Sequence, residues 1–342
     1  MRNAFGAEFD GCDGYLNTPS IGVPPVPVAD AVEHELWRWR TAAAAPPDYD
    51  AAVHVTRAAF GALVGVPGEW VAVGASVSQV ISMVAAGLPD GATVLTAEGE
   101  FTSVTFPFAA QQRRGVRVSE VPLADLPAHV EGHDLVAVSV AQSADGALVD
   151  LAALRAACEA AAVPVLLDAT QAAGWLPLEL EWADWVAGAS YKWLLAPRGA
   201  AWLAVHPKAA ERTVPVAANW YAGEDPWQTV YGLPLRLAGG ARRFDLSPAW
   251  LPFAGAAVAL PYLVSLDRKA VYRHCTGLAD LLLSRLGLPP RGTAIVALDT
   301  EGAAPRLAAA GVRASVRAGR ARVGFHIYNT EADVERVVEA LG

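Results

Sequence analysis

Two textures alternate along this chain. Short apolar runs, Trp70 to Val73, Thr93 to Ala97, Val116 to Val121, Leu135 to Val140, Val163 to Leu167, Trp185 to Ala187 and Ala200 to Val205, read as buried strands. Between them, Ser76 to Ala86, Val104 to Arg114 and Leu151 to Ala162 space their apolar residues as helices do. Strand and helix in alternation predict an α/β fold, a mainly parallel seven-stranded sheet with helices on both faces. Ahead of the sheet, Val28 to Ala43 and Tyr49 to Val64 read as helices separated by Pro46-Pro47-Asp48, a stop and a new start.

After Arg243 the texture changes. A long helical stretch, Phe253 to Leu286, is followed by Thr293 to Leu298, Arg306 to Ala310, two short strands around Ala314 to Val316 and Ala321 to Phe325, and a last helix from Thr330 to Leu341. The expected organisation is therefore an N-terminal segment (1–20), a large α/β domain (21–243) and a small α+β domain (244–342). With 342 residues, 54% hydrophobic and only 18% charged, the chain has ample material for a large core. Its net charge of −9 and lack of a dense Lys/Arg run argue against nucleic acid or an anionic membrane as partner, and for a small molecule. The first residues, Met1 to Glu8, hold no apolar leader, and no apolar run approaches the roughly 18 residues of a membrane span, so a cytoplasmic protein is expected. Cys12, Cys158 and Cys275 are far apart, and neither they nor the seven histidines show metal-ligand spacing; no metal is expected.

Candidate chemistry gathers where apolar runs end. Val165-Leu166-Leu167 runs into Asp168, and 24 positions later Lys192 stands between apolar Trp185 to Ala189 and Trp193-Leu194-Leu195. A carboxylate just past a strand end lies where open α/β sheets bind ligands. A lysine among apolar neighbours loses hydration and yields the neutral amine that carbonyl chemistry needs. That pair suits pyridoxal phosphate (PLP): the acid holds the pyridinium nitrogen and the lysine the aldehyde. Asp168 as a plain helix cap is the alternative. Gln171 is within reach of the ring's phenolic oxygen, and Ser76, between a strand and a helix, offers a hydroxyl and a helix N-terminus to a phosphate, although serine is also a common N-cap. Phe101, or failing it Thr102, is placed to stack on the ring; a core phenylalanine is the other reading. Arg322 has the planar fork that suits a substrate carboxylate, or is an exposed strand-edge arginine.

Taken together these residues resemble the class V aminotransferases, the branch of fold-type I PLP enzymes that includes cysteine desulfurases, isopenicillin N epimerase-like proteins and kynureninase. The likeness runs from Tyr15-Leu16-Asn17-Thr18-Pro19 to Tyr328-Asn329-Thr330-Glu331. Its most specific parts are Asp168-Ala169-Thr170-Gln171-Ala172, Tyr191-Lys192-Trp193-Leu194 with Pro197 and Gly199, and Arg322 six residues before Tyr328-Asn329-Thr330. The resemblance implies that Lys192 is the Schiff-base lysine, that Asp168 pairs with the pyridine nitrogen and that Gln171 faces the phenolic oxygen. It further implies that Ala75, Ser76 and Tyr191, with Val77 beside them, hold the phosphate, that Arg322 and Asn17 meet an amino acid substrate, and that the protein is a homodimer with part of Asn219 to Ser247 reaching a neighbouring site. Many relatives have histidine where this chain has Tyr191. Desulfurases stack a histidine where it offers Phe101 or Thr102, and carry a nucleophilic cysteine that Ala309 to Arg322 lacks. Cysteine desulfuration is thereby disfavoured, and a role for Cys12 near the N-terminal segment stays open. The expectation is an aminotransferase; an epimerase, a C–S or β-elimination lyase, and a non-catalytic scaffold or sensor are its rivals, the last opposed by the intact Lys192, Asp168 and Arg322 set.

Overall fold

The computed structural model describes residues 1–342. The chain opens with an antiparallel hairpin that the sequence reading did not anticipate, β1 (Arg2–Ala4) and β2 (Ala7–Phe9), turning at Phe5 and Gly6 with φ of 49° and 77°. Helices α1 (Val26–Arg40) and α2 (Asp50–Val64) follow. Pro27 sits in the first turn of α1, where a missing N–H costs nothing, so the helix starts two residues earlier than expected.

Next come β3 (Val71–Gly74), α3 (Val77–Gly87), β4 (Thr93–Ala97), α4 (Thr102–Ala109), β5 (Arg117–Val121), β6 (Leu135–Ser139), α5 (Leu151–Ala161), β7 (Val165–Asp168), β8 (Trp185–Ala189) and β9 (Ala201–Val205). All seven expected strands join one sheet in the order β3-β9-β8-β7-β6-β4-β5. Strand β9 runs antiparallel to both neighbours and the other pairings are parallel. The apolar runs are continuous because both faces are covered: Val136, Val138, Val165 and Leu167 enter one core with α2 and α5, while Leu135, Ala137 and Leu166 enter another with α3 and α4. Helix α4 begins at Thr102 and ends at Ala109, short of the expected Arg114; a 3-10 turn, Gln112–Arg114, and Gly115 at φ 78° take the chain into β5.

The long helical stretch expected over Phe253 to Leu286 is two helices, α6 (Trp250–Ser265) and α7 (Arg268–Arg285), bent by 93°. Asp267 makes the break by accepting from the amides of Lys269 and Ala270, a side-chain cap that starts a new helix. Helix α6 packs on α1 and α2, and its buried face joins the first core. Then β10 (Ile295–Leu298), α8 (Ala303–Ala309), β11 (Ser315–Arg317), β12 (Arg320–Gly324) and α9 (Glu331–Leu341) complete the chain. The strands form an antiparallel sheet, β10-β12-β11, over a third core shared with α7, α8 and α9. No single helix is long and apolar enough to cross a membrane.

Candidate active site

Because β3, β4, β6, β7 and β8 run the same way, their carboxyl ends open on one edge of the sheet, the edge where α/β sheets place ligands. A cleft of about 140 Å3 lies there. Each strand end contributes: Ala75, Ser76, Val77 and Ser78 after β3, Phe101 and Ser103 after β4, Ser139 and Ser143 from β6, Asp168, Thr170 and Gln171 from β7, and Ala189, Tyr191, Lys192 and Arg198 from β8. Eight of the expected site residues, from Ala75 to Lys192, thus meet in one cavity. Arg322 and Asn17 do not line it: Arg322 stands behind Ser143, and Asn17 bridges to Gly324 with its side-chain oxygen buried and unpartnered. Cys12 is buried in the first core against Phe9, outside the lining.

Lys192 is 5% exposed, its ammonium lying 5.1 Å from the centre of the Phe101 ring and 5.6 Å from that of Tyr191. Burial pushes its pKa down to about 8; Asp168 opposes the shift, and Arg322, Arg317 and Arg198 add to it. Asp168, 4% exposed, accepts from the amide of Thr170 at 2.9 Å, and burial pushes its carboxyl above the usual range. Ser76 occupies the N-cap position of α3, yet its hydroxyl makes no capping bond, so the helix N-terminus faces the cleft without a side-chain acceptor from Ser76. Phe101 is 38% exposed at the cleft, which removes the core reading and leaves Thr102 outside the lining. Arg198 lies 5.2 Å above the Tyr191 ring. Gln171 is already engaged: its Nε2 donates to the Pro19 carbonyl (3.0 Å) and to Ser143 Oγ (3.1 Å), and its Oε1 accepts from Trp193 (2.8 Å), so a further donation requires one bond to be released.

Sequence reasoning assigned no role to seven of the lining residues, and three contributors it missed organise the site. Glu100 is buried and accepts from the amide of Ser139 (2.8 Å), Ser139 Oγ (2.6 Å), Gln142 (2.9 Å) and the amide of Phe101 (2.7 Å), which binds the Phe101 loop to the end of β6. Ser143 joins Gln171 to Arg322, and Arg198 joins the cleft from beyond Pro197. Ser143 could have been found as a polar residue just past a strand end; nothing in the local sequence separates buried Glu100 from exposed Glu98. Arg322 itself is 1% exposed, which excludes the strand-edge reading; it donates to the Ser143 carbonyl and hydroxyl, Ser315 Oγ (3.2 Å) and Ser20 Oγ (2.9 Å).

The N-terminal segment straps this arrangement together. Gly22 donates to the Tyr191 carbonyl at 2.9 Å and packs so close to the Lys192 backbone that a Cβ there would stand 2.1 Å from the Lys192 carbonyl oxygen. Upstream, Leu16 pairs with Arg313 and Gly324, Asn329 donates to the Tyr15 carbonyl, and Asp333 in α9 accepts from Arg2 (2.7 Å) and from the amide of Gly14 (3.1 Å).

The donor set fits a phosphorylated pyridine aldehyde. A buried amine without a carboxylate against it, a buried carboxyl held by Thr170 alone, and a helix N-terminus all face one cavity. A family model described as aminotransferase class-V matches residues 48–308. An uncharacterised aminotransferase, YcbU of Bacillus subtilis (strain 168), is 27% identical over 312 residues, 82% of this chain and 81% of its own. Among solved structures, the cystine C–S lyase C-DES in complex with its product cysteine persulfide superposes with a TM-score of 0.83 at 19% identity, over 98% of this chain and 99% of that one. The apo cysteine desulfurase of Thermococcus onnurineus NA1 does so with a TM-score of 0.82 at 18% identity, over 95% and 92%. At such identities the structural likeness speaks for the fold.

Proposed function

The chain belongs to the aminotransferase class-V family and is a PLP-dependent enzyme, and from that premise we propose that it transfers the amino group of an amino acid. The observation that carries the reading is Lys192, buried, with its pKa pushed down to about 8, in the same cleft as the Asp168 carboxyl and the α3 N-terminus. When bound, PLP supplies the electron sink that stabilises negative charge at the substrate α-carbon. Asp168 would keep a proton on the pyridine nitrogen, since a buried carboxylate is most favourable beside a cation. The first amides of α3 with Ser76 Oγ, and Tyr191, would hold the phosphate; Phe101 would cover one ring face. Lys192 Nζ would take the proton from the α-carbon and return it, which a desolvated amine near neutral pKa does well. Arg322 would hold the α-carboxylate once Ser143 and Ser20 yield part of its donor set.

Transamination is separated from its rivals by product. We expect borohydride reduction of the PLP-loaded protein to fix a pyridoxyl label on Lys192, and amino acids to yield keto acids when a keto acid acceptor is added. Pyruvate or a persulfide released from cystine, the chemistry named for C-DES, would replace transfer by elimination; loss of configuration without transfer would mean epimerisation. Label without any turnover would leave a scaffold. The proposal includes a cytoplasmic homodimer. Three buried free thiols support the compartment, and Tyr231, Leu233 and Leu235, 88%, 89% and 66% exposed, offer apolar surface for a second copy.

A further inference from the structure

We infer that Arg317 reads a second negative charge on the substrate, so that the cleft serves amino acids with an acidic side chain. The inference rests on the PLP reading for the position of the substrate and goes beyond it in naming the substrate class. Arg317 ends β11, immediately before the tight turn at Ala318 and Gly319, whose φ angles are 47° and 77°. Its Nη2 reaches Ser20 Oγ at 3.4 Å, the same hydroxyl that Arg322 Nη2 reaches at 2.9 Å, so the two guanidinium groups converge on one hydroxyl, and Arg322 in turn is bonded to Ser143 of the cleft lining. Its remaining bond goes to the carbonyl of its neighbour Val316.

Neither arginine has an acid against it. Arg322 is held by the carbonyl and hydroxyl groups of Ser143, Ser315 and Ser20, and Arg317 by Ser20 and a backbone carbonyl. The contrast lies within the same hairpin: Arg320, directly across the ladder from Arg317, is compensated by Asp145 (3.6 Å) and Asp299 (3.5 Å). Like charges directly opposite on paired strands are unfavourable, and this pair is relieved on one side alone. The charge of Arg317 disfavours the protonated forms of both Lys192, in the cleft, and Arg322, behind it. An α-carboxylate occupies one planar fork. The second fork beside it is then free for another carboxylate or a similar anion on the same substrate.

The test uses PLP-loaded protein and acids that lack an amino group, so that binding is read without turnover. Calorimetry compares succinate and glutarate with butyrate and pentanoate for the unaltered protein, Arg317→Gln and Arg317→Lys. We expect a dicarboxylate to bind about tenfold more tightly than the monocarboxylates, as one charge-assisted contact allows. Arg317→Gln should abolish that preference while butyrate affinity stays within about twofold, and Arg317→Lys should restore part of it. Absence of the preference in the unaltered protein, its survival in Arg317→Gln, or an equal loss for mono- and dicarboxylates would each overturn the inference, the last by making Arg317 a second holder of the α-carboxylate. The borohydride label on Lys192 is scored in the same samples. Label without dicarboxylate preference sinks the substrate class alone, whereas loss of the label in the unaltered protein sinks the PLP reading.

Discussion

Lys192 shows how a single residue's environment becomes chemistry. An exposed lysine titrates near 10.5, and here burial brings the value to about 8, so a substantial neutral fraction exists near physiological pH. In apoprotein exposed briefly to PLP and then to borohydride, labelling of Lys192 should rise about tenfold per pH unit below 8 and level off above it. A rate still climbing at pH 9.5 would show an ordinary solvated amine. The same shift bears on stability: the unfolded chain holds this proton up to 10.5, so the penalty for burying it is full below about pH 8 and fades as pH rises toward 10.5. Asp168 and Lys192 were legible from sequence because each interrupts an apolar run, and a charge inside such a run has few places to go but a site. Glu100 and Ser143 were not, since their roles come from loops that meet across the end of the sheet.

At the scale of elements, the cleft depends on how β3 is pinned at its sheet edge. Arg57 of α2 and Asp245 form a bidentate pair at 2.8 and 2.6 Å, Arg57 also donates to the Val71 carbonyl (2.8 Å), and Asp245 accepts from the amide of Val73 (3.0 Å). The pair is 7% and 1% exposed, so removing one partner strands the other without water. Asp245→Asn should therefore lower unfolding free energy by roughly 3 to 5 kcal/mol in urea titration, and a loss below about 1 kcal/mol would mean that water reaches Arg57. The strands themselves were readable to within two residues because buried parallel strands leave uninterrupted apolar runs. The break between α6 and α7 was not, since one aspartate in a helix-rich stretch looks like any polar position until its side chain is seen to cap. The β1–β2 hairpin escaped notice for a similar reason: three-residue strands carry too little alternation to stand out.

For the whole molecule, the first 22 residues run between the first core, which takes Phe9, Cys12 and Tyr15, and the third. Leu16 is buried in the third core, Pro19 accepts from Gln171, and Gly22 lies on the Lys192 backbone. The far anchor of that strap is Asp333, near the end of the chain. Removing residues 331–342 takes away this tether along with α9, and the truncated protein should release PLP at least several-fold faster than the intact one, read by dilution of the loaded protein. Equal release rates would show that the strap holds without its anchor. The tie between beginning and end also sets an order of events during synthesis. As the ribosome extends the chain, the strap and Lys192 both emerge before α9, so the strap must wait for α9 to leave the exit tunnel before it can be fastened. Firm retention of the cofactor would thereby report that α9 has been made and docked.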